Sequence, residues 1–309
     1  FSAGGGGTDM VVEHQHILET KGPRRITPFL VANFIPDAAS GHIAIATGAR
    51  GPNMAVVSAC ATGGGSIGEA FETIRRGDAT AVIAGSSEAV LLPIYHATWC
   101  SMRALAGDND NPTKALKPFD LNRDGFIAGE GGAGMILEDY DHAKARGAKI
   151  YCEVIGYGSS NDAYDMIALH ETGRGLKRAM RAALRKAAID PAEIDYINPH
   201  GSGTPLNDRV ETLVFKEIMG EAAYDASVSS VKPITGHCMG ASGSVEALAC
   251  VLAIRDQKVP PTINYTTPDP ECDLDYVPNE AKSRRVRVAM STSVGLGGHN
   301  SCLLFREVN

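Results

Sequence analysis

The chain has 309 residues, of which 44% are hydrophobic and 21% are charged, the balance of a globular protein that buries a large core. Its net charge of −7 gives no overall attraction to nucleic acid or to an anionic membrane surface. No apolar run reaches the roughly 20 residues that a membrane-spanning helix needs, so we expect a soluble, cytoplasmic protein. Seven scattered cysteines without a C-x-x-C pair argue against a disulfide framework or a zinc site.

The first half of the chain opens with residues 1–7, which have neither the basic nor the apolar stretch of a signal peptide and resemble the interior of a longer chain. A short apolar run then predicts a strand at 54–59, which leads through Cys60 and several glycines into a helix. The elements predicted from there are a helix at 66–76, a strand at 80–85, a helical stretch containing Met102 and Arg103, a strand at 132–138, and a helix from Tyr140 that Gly147 ends.

The second half repeats this alternation. A proline-rich segment at 259–278 indicates an extended surface excursion. Because strands separated by helices usually form parallel sheets, the sequence predicts an α/β protein with mainly parallel sheets covered by helices on both faces. The predicted strands are at 150–157, 194–198, 227–230, 286–293 and 301–306, and the predicted helices at 174–188, 206–219 and 243–256.

The glycine-rich turn after Cys60 fits a nucleotide-binding motif. Gly63, Gly65 and Gly68 match the G-x-G-x-x-G fingerprint of dinucleotide sites. Glu88 follows about twenty residues later, where an acid that binds the ribose is expected. Against this interpretation, the preceding chain shows no clear start of a nucleotide-binding domain, and such turns are common without any cofactor.

The same turn contains two candidate nucleophiles. Ser66 fits the G-x-S-x-G elbow of hydrolases, but it lies several residues beyond the strand, inside the predicted helix. Cys60 has the position that an elbow nucleophile needs, and at a helix N-terminus its thiolate is favoured by oriented N–H groups and the helix dipole. The alternative is that Cys60 is a small, buried and inert side chain, as most cysteines are.

Two histidines and a lysine follow predicted strands in the second half. His200 lies in the loop after the strand at 194–198, and Lys232 and His237 lie in the loop after the strand at 227–230. Ligands of open α/β sheets bind beyond the carboxyl ends of the strands. We therefore expect these three side chains and Cys60 to converge on one face, although a single histidine is more often a structural hydrogen-bonding residue.

Four motifs, in order, resemble the active-site motifs of β-ketoacyl-(acyl carrier protein) synthases, and most of all those of synthase II of bacterial fatty acid synthesis. Similar stretches at 22–29, 123–126 and 259–264 extend the resemblance over nearly the whole chain. The four motifs are Ser-Ala-Cys60-Ala-Thr-Gly, Pro-His200-Gly-Ser-Gly-Thr-Pro, Lys232-Pro-Ile-Thr-Gly-His237 and Gly295-Leu-Gly-Gly-His-Asn300.

The resemblance implies a thiolase-like fold, a duplicated αβαβα layered arrangement. Residues 1–145 would form the N-terminal half with the nucleophile, and residues 146–309 the C-terminal half with the histidine and lysine motifs. Members of the family carry a further βα segment before the position of Phe1, so the resemblance also implies that the N-terminal part of the fold is missing. The family pairs the strand before Cys60 with its twin across a two-fold axis, which implies a homodimer.

The resemblance also implies a decarboxylative Claisen condensation. Cys60 would accept an acyl group from the phosphopantetheine arm of an acyl carrier protein, and the enolate formed when malonyl-carrier protein loses CO2 would attack it. Backbone N–H groups of Cys60 and Leu296 would form the first oxyanion hole, and His200 and His237 would hold the enolate. Lys232 would orient this network, with no metal and no resident cofactor.

Further residues receive roles from the same resemblance. Leu296 and Phe126 would gate the acyl tunnel; where synthase II sequences usually have phenylalanines, this chain has Val294 and Leu296, which should alter the preference for acyl chain length. The supporting residues would be Glu246, Thr204 and Asp208, and the residues that bind the acidic carrier protein would be Arg24, Arg25 and Arg103.

Other functions remain open at this stage. A cysteine hydrolase with one histidine as base would leave Lys232 and the second histidine unexplained, and a two-cysteine thiolase would need a second loop cysteine, whereas Cys302 lies in an apolar strand. Residues 120–125 match the first half of a calcium loop, but Gly131 stands where its bidentate glutamate should be. Motifs around 200–208 and 267–276 also look like the ketosynthase subunit of aromatic polyketide synthases, and a catalytically idle partner subunit is a further possibility.

Overall fold

The computed structural model describes residues 1–308 and contains twelve α-helices, nine strands and four 3₁₀ turns within that range. The helices are α1 (Thr8–Lys21), α2 (Leu30–Phe34), α3 (Ala38–Thr47), α4 (Thr62–Arg75), α5 (Pro93–Ser101), α6 (Pro112–Ala115), α7 (Tyr140–Ala145), α8 (Arg174–Ala187), α9 (Pro205–Met219), α10 (Ala222–Asp225), α11 (Lys232–Thr235) and α12 (Ser242–Asp256). The strands are β1 (Ala81–Glu88), β2 (Gly131–Glu138), β3 (Glu153–Asn161), β4 (Tyr196–Asn198), β5 (Ser227–Val228), β6 (Lys258–Val259), β7 (Lys282–Ser283), β8 (Val288–Gly295) and β9 (His299–Arg306). The 3₁₀ turns are Pro23–Arg25, Ala59–Ala61, Pro191–Glu193 and Met239–Ala241.

The main sheet is mixed, which corrects the prediction of mainly parallel sheets. Its five strands lie in the order β3-β9-β8-β4-β5, with parallel pairing of β4 to both β8 and β5, and antiparallel pairing of β9 to both β8 and β3. Only residues 296–298 connect β8 to β9, and so short a connection can join only antiparallel strands. In each of the two smaller sheets, β1-β2 and β6-β7, the two strands are antiparallel.

Helices cover both faces of the main sheet, as predicted. Along each strand, successive side chains point to opposite faces. Ile197 and Met290 join one core with residues of α8 and α9, whereas Tyr196 and Ala289 join a second core with residues of α4 and α12. The helices α4 and α12 also contact the β1-β2 sheet, so they form a layer between the two sheets. This layering places the start of α4 next to β8 and β9.

The two halves predicted from the sequence share this central layer. The helix α12 belongs to the C-terminal half, but it packs against α4 and β2 of the N-terminal half. Gly63 makes the approach possible, because a Cβ atom at this position would lie 2.3 Å from the backbone nitrogen of Ser244. The boundary at residues 145 and 146 stays a prediction.

Two predicted elements of the first half are wrong. Residues 54–59 do not form a strand, since residues 52–58 have no ladder partner among the described residues; the backbone N–H of Val56 instead donates to the Ser2 hydroxyl at 3.0 Å. Met102 and Arg103 follow α5 rather than lie in a helix, and Arg103 has a positive φ of 54°. The predicted end of the helix from Tyr140 is confirmed, because the Gly147 N–H donates to the carbonyl of Lys144 at 3.0 Å with φ at 69°.

The proline-rich segment at 259–278 is a surface excursion only in part. Cys272 and Tyr276 are each only 1% exposed. The Tyr276 ring stacks on Phe119 with a centroid distance of 4.1 Å, and its hydroxyl lies 2.6 Å from that of Thr212. The segment is therefore irregular chain that anchors some side chains in the main core, while others, such as Thr266 and Glu271, stay exposed. No helix within residues 1–308 has the length and hydropathy needed to cross a membrane.

Candidate active site

Cys60 lies in the 3₁₀ turn directly before α4, so its sulfur is at the N-terminus of that helix. The turn is fixed by hydrogen bonds from the Ala61 N–H to the Ser58 carbonyl and from the Ser58 N–H to the Thr62 hydroxyl. The end of β8 passes closely over the turn, because a Cβ atom at Gly295 would lie 3.0 Å from the Cys60 nitrogen. Cys60 is 9% exposed, which makes it a largely buried residue.

The Cys60 thiol is protonated in the resting protein at neutral pH. Burial raises its pKa to about 11, although the charge of Lys232 and a hydrogen bond from the backbone N–H of Leu296 act in the opposite direction. Desolvation therefore outweighs the influences that favour the thiolate at this position. Acyl transfer to this sulfur must remove the proton in the course of the reaction.

His200 follows β4 and is held by its backbone. Its N–H donates to Glu211 Oε1 at 2.7 Å, and the N–H of Gly201 donates to Glu211 Oε2 at 2.7 Å. The His200 carbonyl accepts a hydrogen bond from the Lys232 ammonium group. The His200 Nδ1 atom is buried and has no hydrogen-bond partner within the described residues.

His237 lies after α11, and its ring is fixed from two sides. The Ser242 hydroxyl lies 2.9 Å from His237 Nδ1, and the Phe126 ring packs edge-on with a centroid distance of 5.2 Å. If the hydroxyl donates to Nδ1, the ring proton is on Nε2, which makes Nε2 a hydrogen-bond donor. The backbone N–H of His237 donates to the Ile127 carbonyl at 2.7 Å and ties the residue to the segment that carries Phe126.

The two imidazole rings lie next to each other and are uncharged. Their centroids are 5.2 Å apart and their planes are inclined by 79°. Burial and the nearby Lys232 charge hold the pKa of both His200 and His237 well below 6.5. Both rings are therefore neutral at physiological pH, and each offers one ring N–H as a donor.

Lys232 connects the site to the centre of the protein. It is 1% exposed, and its ammonium group donates to the His200 carbonyl and to Glu246 Oε1. Burial raises the pKa of Glu246, which the Lys232 charge opposes. The same charge acts on Cys60, His200 and His237, so the structure brings the four predicted catalytic side chains into one electrostatic environment.

The two predicted gate residues differ in their exposure to solvent. Phe126 is 8% exposed and packs between the Trp99 ring and His237. Leu296 is 41% exposed, while its N–H reaches the Cys60 sulfur. Leu296 therefore lies at the solvent side of the nucleophile.

Of the predicted supporting residues, Glu246 and Asp208 are buried and Thr204 is partly exposed, and only Glu246 contacts the cluster. Glu246 pairs with Lys232. Asp208 accepts N–H donors from Phe119 at 2.8 Å and from Gly203 at 3.2 Å, and the Thr204 hydroxyl lies 3.0 Å from that of Ser202. These two residues therefore organise the loop between His200 and α9 and do not touch the imidazoles.

Glu211 is the residue that the sequence analysis missed. Besides its bonds to the His200 loop, its carboxylate accepts from the Thr292 hydroxyl at 3.1 Å and from the Asn207 amide at 2.9 Å. Burial raises its pKa to about 7, whereas the N–H donors favour the ionised form. One sequence signal could have identified it: Glu211 is an acidic residue in the first turns of α9, and an apolar stretch follows it.

The three predicted arginines of the carrier-protein site lie at the surface, away from the cluster. Arg24 and Arg25 are exposed in the turn Pro23–Arg25, and Arg103 is exposed after α5. Within residues 1–308 none of the three forms an ion pair. They are therefore free to bind an acidic partner, but the structure gives them no contact that assigns this role.

The competing motifs around Cys60 are used for packing. Gly68 lies against the Tyr157 ring, where a Cβ atom would be 2.2 Å from ring carbons, and the Ser66 hydroxyl donates to the Gly85 carbonyl inside the helix layer. Glu88 accepts three backbone N–H groups and is not free for a ribose. These contacts contradict the dinucleotide and elbow interpretations.

The half calcium loop is likewise structural. Asp120 accepts backbone N–H groups from Thr266 and Thr267 at 2.6 Å, and Asp124 accepts one from Gly107 at 2.9 Å. The carboxylates thus point to different partners. Across the described part of the chain there is no group of three or more metal-ligating side chains.

The sequence matches the family "Beta-ketoacyl synthase, N-terminal domain" over residues 2–143 and "Beta-ketoacyl synthase, C-terminal domain" over residues 151–266. The chain belongs to the β-ketoacyl synthase family. Among curated relatives, the 3-oxoacyl-[acyl-carrier-protein] synthase 2 of Synechocystis sp. is 48% identical over 99% of this chain and 74% of that protein. The enzyme of the same name from Staphylococcus aureus is 48% identical over 98% of this chain and 73% of that protein.

Solved structures agree in fold. A complex described as a type II PKS acyl-carrier protein with its ketosynthase bound to the hexaketide matches 100% of this chain and 78% of the other, with a TM-score of 0.93 and 38% identity. A β-ketoacyl synthase from Burkholderia phymatum matches 100% of this chain and 74% of the other, with a TM-score of 0.92 and 32% identity. The predicted thiolase-like α/β fold is confirmed.

Proposed function

We propose that the chain is a β-ketoacyl-(acyl carrier protein) synthase of fatty acid elongation. The observation that carries this proposal is a cluster in which the Leu296 N–H faces Cys60, two neutral imidazoles lie side by side, and one buried lysine acts on all three groups. The relatives named 3-oxoacyl-[acyl-carrier-protein] synthase 2 support it. The enzyme would extend an acyl thioester by two carbons and release CO2.

In the first half-reaction, Cys60 attacks the thioester of an acyl-carrier protein. The Sγ–C bond forms as the sulfur loses its proton, and the phosphopantetheine thiol leaves with a proton. The tetrahedral oxyanion needs N–H donors that are in place before the reaction. The Leu296 N–H already donates to the sulfur, so together with the Cys60 N–H it is suited to receive this oxyanion.

In the second half-reaction, malonyl-carrier protein loses CO2 and the electron pair of the broken C–C bond becomes an enolate. His200 and His237 donate ring N–H groups to the thioester oxygen as negative charge develops on it. The enolate carbon then attacks the acyl carbonyl on Cys60, and the Cys60 sulfur leaves. Lys232 holds the His200 carbonyl and supplies positive potential, and Glu246 fixes Lys232.

The test supplies purified protein with malonyl-carrier protein and acyl-carrier proteins of several chain lengths and identifies the products by mass. We expect a β-ketoacyl thioester two carbons longer than the acyl substrate, with one CO2 per product. Hydrolysis without chain extension would indicate a cysteine hydrolase instead. No turnover and no acyl-enzyme would indicate an idle partner subunit.

Polyketide assembly is the second candidate function. The ketosynthase in the complex with a type II PKS acyl-carrier protein has a similar fold and is bound to a hexaketide. Its 38% identity is lower than the 48% of the synthase 2 relatives, so we favour fatty acid elongation. Repeated extension without reduction, to a poly-β-ketone, would instead identify a polyketide ketosynthase.

The remaining assignments are part of the same proposal. The chemistry uses no metal and no resident cofactor, because the substrate is carried on the phosphopantetheine of the carrier protein. We propose a cytoplasmic homodimer. The half-exposed segment 52–58, which includes exposed Met54 and Val57 and has no strand partner among residues 1–308, supports pairing with a second copy.

The decarboxylation rate should be insensitive to pH across the ordinary titration of histidine. Because the pKa values of His200 and His237 are well below 6.5, both rings stay neutral donors as the pH falls from 8 to about 6. The release of CO2 from malonyl-carrier protein, measured over this range, should be constant. A rate that fell by half near pH 6.5 would show that at least one imidazole takes up a proton there.

The same pKa values affect stability in a defined direction. On unfolding, each histidine returns to an ordinary pKa and takes up a proton below about 6.5. The free energy of unfolding should therefore decrease as the pH falls below that value. Thermal melts at each pH serve as the control that separates loss of fold from loss of decarboxylation.

Charge reversal at the predicted carrier-protein site should weaken substrate binding. We expect Arg25→Glu together with Arg103→Glu to raise the KM for acyl-carrier protein by about tenfold with little change in kcat, since exposed charges mainly affect encounter and docking. Arg181→Glu on the exposed face of α8 is the matched control. An unchanged KM for the double variant would remove these arginines from the proposed site.

A further inference from the structure

Glu88 is a buried carboxylate that the proposed mechanism does not use. It ends β1, is 6% exposed and forms no ion pair within residues 1–308. Its oxygens accept only backbone N–H groups, from Gly4 at 2.8 Å, Gly5 at 3.0 Å and Gly240 at 3.2 Å. Burying a carboxylate without a counter-charge is costly, so a purely structural position would favour a neutral residue.

The three N–H groups come from two segments that border the active site. Gly240 lies in the turn Met239–Ala241, between His237 and the Ser242 whose hydroxyl contacts the His237 ring. Gly4 lies between this turn and the turn Ala59–Ala61, which carries Cys60. A Cβ atom at Gly4 would be 3.2 Å from the Gly240 Cα and 3.6 Å from the Ala59 carbonyl oxygen. Glu88 therefore fixes Gly4 and Gly5 beside both turns and binds directly to one of them through Gly240.

The packing around Glu88 leaves no room for another arrangement. A Cβ atom at Gly240 would lie 2.3 Å from Glu88 Oε2 and 2.7 Å from the Gly4 nitrogen. A shift of the turn would change the distance between the Ser242 hydroxyl and His237 Nδ1, and with it the direction in which Nε2 points. A displacement of about 1 Å at a reacting centre can reduce a rate by about a hundredfold.

We propose that Glu88 is a positioning residue for His237, which acts through Gly240 and Ser242 on the decarboxylation half-reaction. This inference rests on the proposed function for its catalytic consequence, but its structural part concerns the resting protein. The carboxylate fixes the turn, the turn presents the Ser242 hydroxyl to Nδ1, and the hydroxyl keeps the ring proton on Nε2.

The test is Glu88→Gln, which preserves size but offers one acceptor oxygen and places an NH2 group against a backbone donor. We expect decarboxylation of malonyl-carrier protein to fall about 10- to 100-fold. Single-turnover acyl transfer to Cys60, which does not use the His237 ring, should not fall, because loss of the Glu88 charge removes one influence that raises the Cys60 pKa. The matched control is Glu130→Gln, because Glu130 is exposed and accepts a single backbone N–H, from Leu91 at 2.8 Å; it should leave both rates unchanged.

Nitrogen-15 NMR of the histidine rings in the resting protein separates this proposal from the proposed function. In the wild type the His237 signals should show a proton on Nε2 alone, and in Glu88→Gln they should show a mixture of tautomers. If the wild type releases no CO2 but the tautomer shift is present, the proposed function fails while the positioning role stands.

Unchanged tautomers in the variant overturn the positioning role, and so does an equal fall of both half-reactions. Should Glu88→Gln not fold, Gly240→Ala provides the second variant, since its methyl group displaces the same turn from the other side; the same tautomer mixture and the same split between half-reactions are expected. Wild-type behaviour of Gly240→Ala would overturn the proposal.

Discussion

Replacement of Cys60 by alanine is expected to abolish acyl-enzyme formation and to reduce condensation by at least about a thousandfold, as the loss of a nucleophile does in enzymes that form covalent intermediates. In the proposed mechanism this sulfur is the group that carries the acyl chain. Decarboxylation of malonyl-carrier protein should persist, because the donors for that step are on His200 and His237. Incubation with radiolabelled acyl-carrier protein, followed by denaturing electrophoresis, measures the adduct.

The control for this experiment is Cys100→Ala, which removes an exposed thiol and should leave the adduct intact. A labelled adduct on the Cys60→Ala protein would place the nucleophile elsewhere. Loss of decarboxylation together with the adduct would show that the thiol contributes to both half-reactions, contrary to the separation of roles that the geometry supports.

The positions of the proposed catalytic side chains could be predicted from the sequence because they depend on strand ends. His200 follows β4 and Lys232 follows β5, and parallel neighbouring strands end at the same edge of a sheet. Cys60 could be predicted from the change from an apolar run to glycines. Its protonation state could not be predicted, because desolvation of the sulfur depends on the segments that cover it, such as the loop with Leu296.

The acidic residues that hold the loops could not be predicted. Glu88 and Glu211 bind backbone N–H groups, which every residue has, so no side-chain pattern marks their partners. The partners of Glu88 are as far as 152 positions away in the chain. Such contacts follow from the packed tertiary structure and not from local spacing.

The segment at 54–59 shows a different limit. An apolar run of this length is compatible with a strand and with extended chain, and a strand also needs a neighbour. Within residues 1–308 no strand lies beside it, and Met54 and Val57 remain exposed. The mixed main sheet could have been predicted, because the Gly-rich connection between β8 and β9 is too short for a parallel crossover.

Lys232→Met is the prediction with the largest expected effect on stability. Lys232 and Glu246 are 1% and 2% exposed in their side chains, and Glu246 Oε2 has no hydrogen-bond partner in the described structure. Removal of the ammonium group would leave a buried carboxylate without a counter-charge, at a cost of about 3–5 kcal/mol in the free energy of unfolding. Urea unfolding at pH 7 measures this loss.

The pH dependence of the loss has a defined sign. Burial already raises the pKa of Glu246, and without Lys232 it would rise further, so the folded variant would favour the protonated acid. The deficit should therefore be largest at high pH and should shrink as the pH falls through about 4.5, below which Glu246 is protonated in both the folded and the unfolded variant. A deficit that did not depend on pH would indicate lost packing and not an unpaired charge.

The double variant Lys232→Met/Glu246→Leu separates stability from catalysis. Replacement of both members of a buried ion pair by apolar groups is often neutral, so most of the stability should return. Decarboxylation should not return, because the His200 carbonyl has lost its donor and the site its positive potential. Recovery of activity together with stability would mean that the pair serves the fold alone, and the catalytic role proposed for Lys232 would then be wrong.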